Sequence, residues 1–136
     1  MVNQKETNWS AVAVGDTCLF HFSRVDNNLW MFKSFPPSSS REFTSEPDSI
    51  SSRTGDFPRL FRHVRSTSGT YTPGDVLVMA TDALALWIFK QIEQRTIGWP
   101  KLLDLNSSRD FSTLLDQERA RGQINDTDTT LLILPL

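Results

Sequence analysis

Acidic residues in three places could do chemistry: Asp16 after Gly15, Asp82 after Thr81, and Asp126 with Asp128 inside 125-NDTDTT-130. Each place is where strand-type sequence ends or begins. Carboxylates at the rims of neighbouring strands gather hard oxygen ligands for Mg²⁺ or Mn²⁺, ions that keep several waters and take few protein carboxylates each. Water held by a pair of such ions becomes hydroxide near neutral pH and can attack a phosphate in line. Every position also has a structural reading. Asp82 precedes helical sequence and could be an N-cap, which stabilises by about 1 kcal/mol. Asp126 and Asp128 suit Asx-turns, and Asp16 suits a Gly-Asp turn.

Other chemistries find less support. His21 sits in apolar strand sequence and His63 among arginines, and neither has a second histidine at ligand spacing for zinc. Neither a GxSxG elbow, a phosphate-binding GKS/GKT loop nor GxGxxG occurs. Cys18, flanked by Thr17 and Leu19, reads as a buried strand thiol rather than a nucleophile. Trp9, Trp30, Trp87 and Trp99 are expected in cores; three arginines and Lys33 near loop regions could meet phosphate, with a solvated surface as the default reading.

The elements that must position the acidic residues follow from periodicity. Residues 9–15, 18–22 and 28–35 read as three adjacent antiparallel strands, or two with a bent continuation, the last two joined through the Asp-Asn-Asn turn of 23-SRVDNN-28. The Pro/Ser-rich stretch 36–58 has almost no apolar periodicity and reads as a long loop, a length usually functional inside a compact domain. Residues 60–71 suggest an extended or edge strand. In 72-TPGD-75, proline and glycine are the central residues of a type II turn. It leads into 75-DVLVMATD-82, an apolar run expected as a central strand buried on both faces. Leu84, Trp87, Ile88 and Ile92 then recur at helical spacing over 83–95. A second helix is expected over 109–122, capped by Ser107 or Ser108, with Phe111, Leu114 and Leu115 on one face and Gly122 at its end. The strand 129–134 closes the chain. The order is α+β, with antiparallel sheets and flanking helices.

Composition sets outer bounds. At 136 residues, 38% hydrophobic and 22% charged, the chain is the size of one globular domain, and 1–136 is expected to be one. Net charge is −2 with scattered basic residues, which gives no footprint for nucleic acid or an anionic membrane. No apolar run approaches the roughly 20 residues of a membrane span. The opening MVNQKETNWS lacks the apolar core of a signal peptide. A single cysteine fits a reducing compartment. These features lead us to expect a soluble, cytoplasmic protein.

Four segments, in order, resemble the C-terminal half of metal-dependent protein phosphatases of the 2C type (the PPM family), bacterial members most of all. They are 9-WSAVAVGDTCLF-20; the pairs Phe35-Pro36, Glu42-Phe43 and Glu46-Pro47; 73-PGDVLVMATDALALW-87, similar to the strand whose Thr/Ser-Asp-Gly carries a metal-ligand aspartate; and 126-DTDTTLLIL-134, similar to the closing acidic motif and strand. The third is distinctive and the others are individually weak. Ala83 stands where many members have glycine, and the family's N-terminal Asp-Gly-x-Gly motif has no counterpart here.

The resemblance implies part of an αββα sandwich with a binuclear Mn²⁺ or Mg²⁺ site, and hydrolysis of phosphoserine or phosphothreonine in the complete form. It places Asp82 as a metal ligand. Reading back from Thr129 adds Asp126; reading from Thr130 puts Thr127 there and leaves Asp128 as the displaced alternative. One ligand pair cannot hold two ions, so the chain is expected to be catalytically incomplete alone, and its status as an enzyme stays open. The alternative is a non-catalytic regulatory or interaction module on the same fold. A phosphoprotein substrate, a second copy of the chain or an N-terminal half are the partners implied. A half-sandwich would also leave one apolar sheet face open.

Overall fold

A computed structural model describes residues 1–13, 15, 17–43, 64–96 and 98–136. Asp16, His63 and residues 44–58 of the long loop lie outside the described residues. Among the described residues seven strands form two antiparallel sheets. β1 (Val2–Asn3), β2 (Asn8–Ala13) and β5 (Arg65–Thr70) make the smaller sheet, in the order β1-β2-β5. β3 (Cys18–Val25), β4 (Asn28–Phe35), β6 (Val76–Ala80) and β7 (Leu131–Pro135) make the larger, in the order β4-β3-β6-β7. Among the described residues two α-helices complete the α+β fold: α1 (Asp82–Glu93) and α2 (Ser108–Ala120), joined through a 3₁₀ segment, Trp99–Asp104.

Side chains alternate across the strands, and that alternation builds two cores. Cys18, Phe20, Phe22, Val76, Val78 and Ala80 point to the helix side, where they meet Leu84, Trp87, Ile88 and Phe89 of α1 and Trp99. Phe22 stacks on Trp99 with ring centroids 4.3 Å apart, and Phe20 lies 5.0 Å from Phe89. Each large apolar side chain removed from water here stabilises by about 1.5–3 kcal/mol. On the other face, Leu19 and Leu77 pack with Trp9 and Tyr71, which joins the two sheets.

Several expectations change. β2 does not continue the β3–β4 hairpin; it pairs instead with β5, Trp9 opposite Gly69. β6 is central, between β3 and β7, but Met79, on the face that carries Leu77, is 37% exposed where it lines a cleft between the two sheets. Trp30 is 63% exposed, unlike the three buried tryptophans. Met79, Leu132 and Leu134 form an open apolar strip on the larger sheet, facing Val12 across a cleft lined also by Met1 and Trp9. Ser40, at the start of the long loop, is tied to the end of α1 by two hydrogen bonds to Glu93. Among the described residues, no helix is long and apolar enough to cross a membrane.

Candidate functional site

The site begins where β6 runs into α1 without a loop. The valine-rich strand ends at Ala80, Thr81 is still extended (φ −69°, ψ 163°), and Asp82 is the first helical residue. Thr81, not Asp82, therefore holds the cap position. Its hydroxyl does not cap the helix. It accepts instead from Thr130 N–H at 3.0 Å, while Thr81 N–H donates to the Thr130 carbonyl at 3.2 Å. The same hydroxyl lies 3.5 Å from the Asp128 carbonyl. Asp82 sits at the positive end of the α1 dipole, and its Oδ1 accepts from Ala83 N–H at 2.6 Å. The pairing of Ala80 with Leu131 continues this junction, so the 125–130 segment meets the end of β6 at one rim of the larger sheet.

The two aspartates of that segment have different surroundings. Asp126 is turned to solvent, its side chain 96% exposed, with Oδ1 3.7 Å from Nε of Arg119 on α2. Arg119 holds the segment by its backbone as well. Nη2 donates to the Thr127 carbonyl at 2.6 Å and to Oγ1 of Thr129 at 3.2 Å, and Nε donates to the Asn125 carbonyl at 3.4 Å. Asp128 is exposed and adjoins Thr81 through its carbonyl. The fold thus brings Asp82 and the 126–128 aspartates to a common rim, while Arg119 occupies Asp126. Sequence reading gave Arg119 no role. The only signal was a basic residue in the last turn of an otherwise acidic-capped helix.

A second polar cluster is buried between the sheets. His21 Nε2 and Asp75 Oδ2 are 2.9 Å apart and almost fully buried. Asp75 also accepts from Ser23 Oγ at 3.3 Å, from Thr72 N–H at 3.1 Å and from Thr72 Oγ1 at 3.1 Å. Burial works against ionisation of Asp75, but the hydrogen bonds from Thr72, His21 and the Arg24 backbone outweigh it and hold the carboxyl below the usual carboxylate range. The cluster pins the Thr72–Asp75 turn, where Gly74 has φ 98° as a type II turn requires.

No protein-family profile matches the sequence, and no curated protein matches it. Among solved structures, the chain is similar to the phosphatase domain of the cell fate determinant SpoIIE from Bacillus subtilis, with a TM-score of 0.49 and 17% identity. The likeness covers 100% of this chain and 52% of that one, so this chain spans about half the length of the structure it matches.

The donor chemistry of the rim suits a hard divalent cation, but the described residues do not complete a site. Among them, no group of three or more His, Cys, Asp and Glu side chains stands together. Asp126, one of the two candidate co-ligands, is engaged by a guanidinium. No hydrolytic step is therefore assigned to this chain's residues.

Proposed function

We propose that residues 1–136 act as one unit of a phosphatase-2C-like fold, of the bacterial type. In this reading Asp82, with Asp128 or Asp126, contributes carboxylates to a Mn²⁺ or Mg²⁺ centre whose other ligands come from outside the described residues. The complete assembly would hydrolyse phosphoserine or phosphothreonine in a cytoplasmic phosphoprotein. One observation carries this reading: the reciprocal Thr81–Thr130 bonds bring the Thr-Asp junction and the closing acidic segment to the same rim. Calorimetric titration with Mn²⁺ tests it. Binding that is lost in Asp82→Asn supports a ligand role, whereas Mn²⁺ affinity unchanged by that substitution sinks it. Hydrolysis of p-nitrophenyl phosphate, measured in parallel, reports whether the chain is active alone.

A second reading is favoured by a specific contact. Arg119 already supplies a positive charge to the 125–129 segment, so that segment is organised without an ion. With an open apolar face beside it, this suits a non-catalytic regulatory or interaction module. Absence of both Mn²⁺ binding and hydrolysis, in a folded chain, ends the reading of this chain as an enzyme by itself.

A further inference from the structure

A second surface of the molecule has no part in that rim. β4 has a neighbour on one side only among the described residues, so it is an edge of the larger sheet. Four consecutive β4 residues, 28–31, border a cleft of roughly 860 Å³. Strand side chains alternate faces, so four in succession, together with Arg24 and Asn27 of the same hairpin, make the β4 edge part of the cleft wall. The opposite wall is the end of α1 and the 3₁₀ segment, and Leu29, Met31, Ile92 and Leu103 supply partly buried apolar surface. Natural edges are usually guarded by charge or proline. β4 has no proline, and its one charged residue, Lys33, turns inward to the Ser68 carbonyl at 2.8 Å and over the Trp9 ring.

Among the described residues, charge at the cleft is unbalanced: Arg24 and Arg95 line it against one carboxylate, Asp104, and neither arginine has an ion-pair partner. Arg95 is also held in an unfavourable conformation. Both helices end in the same motif, in which the residue after the C-cap adopts a left-handed backbone. In α1, Arg95 N–H donates to the Ile92 carbonyl and Thr96 N–H to the Gln91 carbonyl; in α2, Gly122 and Gln123 do the same. In α2 the left-handed residue is glycine, with φ 69°. In α1 it is Arg95, with φ 55°. A side chain there strains the backbone, and such strain gathers at functional positions.

We propose that this cleft binds an extended peptide segment of alternating apolar and acidic residues, which adds as a further strand to the free edge of β4. Backbone hydrogen bonds to 28–31 supply affinity, the apolar side chains enter the notch, and the carboxylates meet Arg24 and Arg95. The step goes beyond the phosphatase reading and does not depend on it.

The test uses the full chain and a fluorescein-labelled, capped hexapeptide alternating valine and glutamate, read by fluorescence polarisation and by amide shifts at 28–31. The acidic peptide is expected to bind, and its partner alternating valine and lysine is not. N-methylation of alternate peptide amides should weaken binding about tenfold or more, as loss of strand pairing demands. Arg95→Gly should weaken binding about fivefold and Arg24→Ala similarly, since each removes one favourable charge contact. Arg95→Gly should also raise Tm by a few degrees, because glycine relieves the left-handed strain, so lost binding in it cannot be lost folding. Equal binding of the acidic and basic peptides, no effect of N-methylation, or no binding of the acidic peptide each overturns the proposal.

Discussion

Thr81 and Thr130 hold each other in both directions: Thr81 N–H donates to the Thr130 carbonyl at 3.2 Å, and Thr130 N–H donates to the Thr81 hydroxyl at 3.0 Å. Through this pair, the start of β7 is fixed to the start of α1. Replacing Thr81 with valine keeps the shape and removes the acceptor. The expected loss is about 1 kcal/mol of stability, the usual net worth of one such bond, measured by urea unfolding. Serine at the same position should restore most of it. Valine should also speed exchange of the Thr130 amide, and an unchanged exchange rate would show that the bond does not hold the segment.

Arg119 is the other tie on the acidic segment. It joins α2 to the carbonyls of Asn125 and Thr127 and to the Thr129 hydroxyl. The side chain is about a quarter exposed, so solvent screening tempers its electrostatic part. Arg119→Ala is expected to destabilise by about 1–2 kcal/mol, through lost charge-assisted bonds to backbone carbonyls. Arg119→Lys should recover little of this, because an ammonium cannot reproduce the fork of a guanidinium. If Asp126 is the metal carboxylate, Arg119→Ala should raise Mn²⁺ affinity; if Asp128 is, affinity should stay level or fall as the segment loosens. Titration of the variant distinguishes these outcomes.

The buried Asp75 makes stability depend on pH with a defined sign. Its carboxyl is held below the usual carboxylate range in the folded chain. The unfolded chain therefore takes up the proton first as pH falls. Asp75's contribution is complete above the unfolded value of about 4 and is lost as pH drops through the lower folded value. Wild type should thus lose stability below about pH 4 more steeply than Asp75→Asn. At neutral pH, Asp75→Ala is expected to cost about 3 kcal/mol, since it removes the partner of a buried His21 and strands the Ser23 and Thr72 donors. Equal acid profiles for wild type and Asp75→Asn would show that Asp75 contributes nothing.

What the sequence made legible was local. The apolar run 76–80 passing straight into helical spacing located Asp82 at a strand–helix junction, and Ser107 and Gly122 bounded α2 as their capping chemistry requires. What it hid depends on pairing between distant segments. Trp9 and Gly69 meet across the smaller sheet, and His21 and Asp75 meet across 54 residues. No periodicity within either segment encodes such a meeting. Trp30 was misread for a related reason: alternation puts it on the face opposite Met31, but only the sheet stacking decides whether that face is covered. The candidate rim was half legible. Asp82 and the 126–128 aspartates could be named from sequence, but the engagement of Asp126 by Arg119 could not, because it arises from the turn that folds α2 back on the segment.

The open apolar strip makes the last prediction. Leu132 and Leu134 are 54% and 41% exposed on β7, an edge strand among the described residues, and Met79 continues the strip onto β6. The β7 sequence, LLILP, carries no charge, so two copies can approach edge to edge without like-charge repulsion. Single apolar residues on a surface need no partner, but a contiguous strip on a free edge favours association. Light scattering after size exclusion should show the chain self-associating as its concentration rises. The double substitution Leu132→Lys with Leu134→Glu should return it to a monomer with little change in Tm, since neither side chain is buried in the core. A wild-type chain that stays monomeric at every concentration measured would show that the strip does not drive self-association.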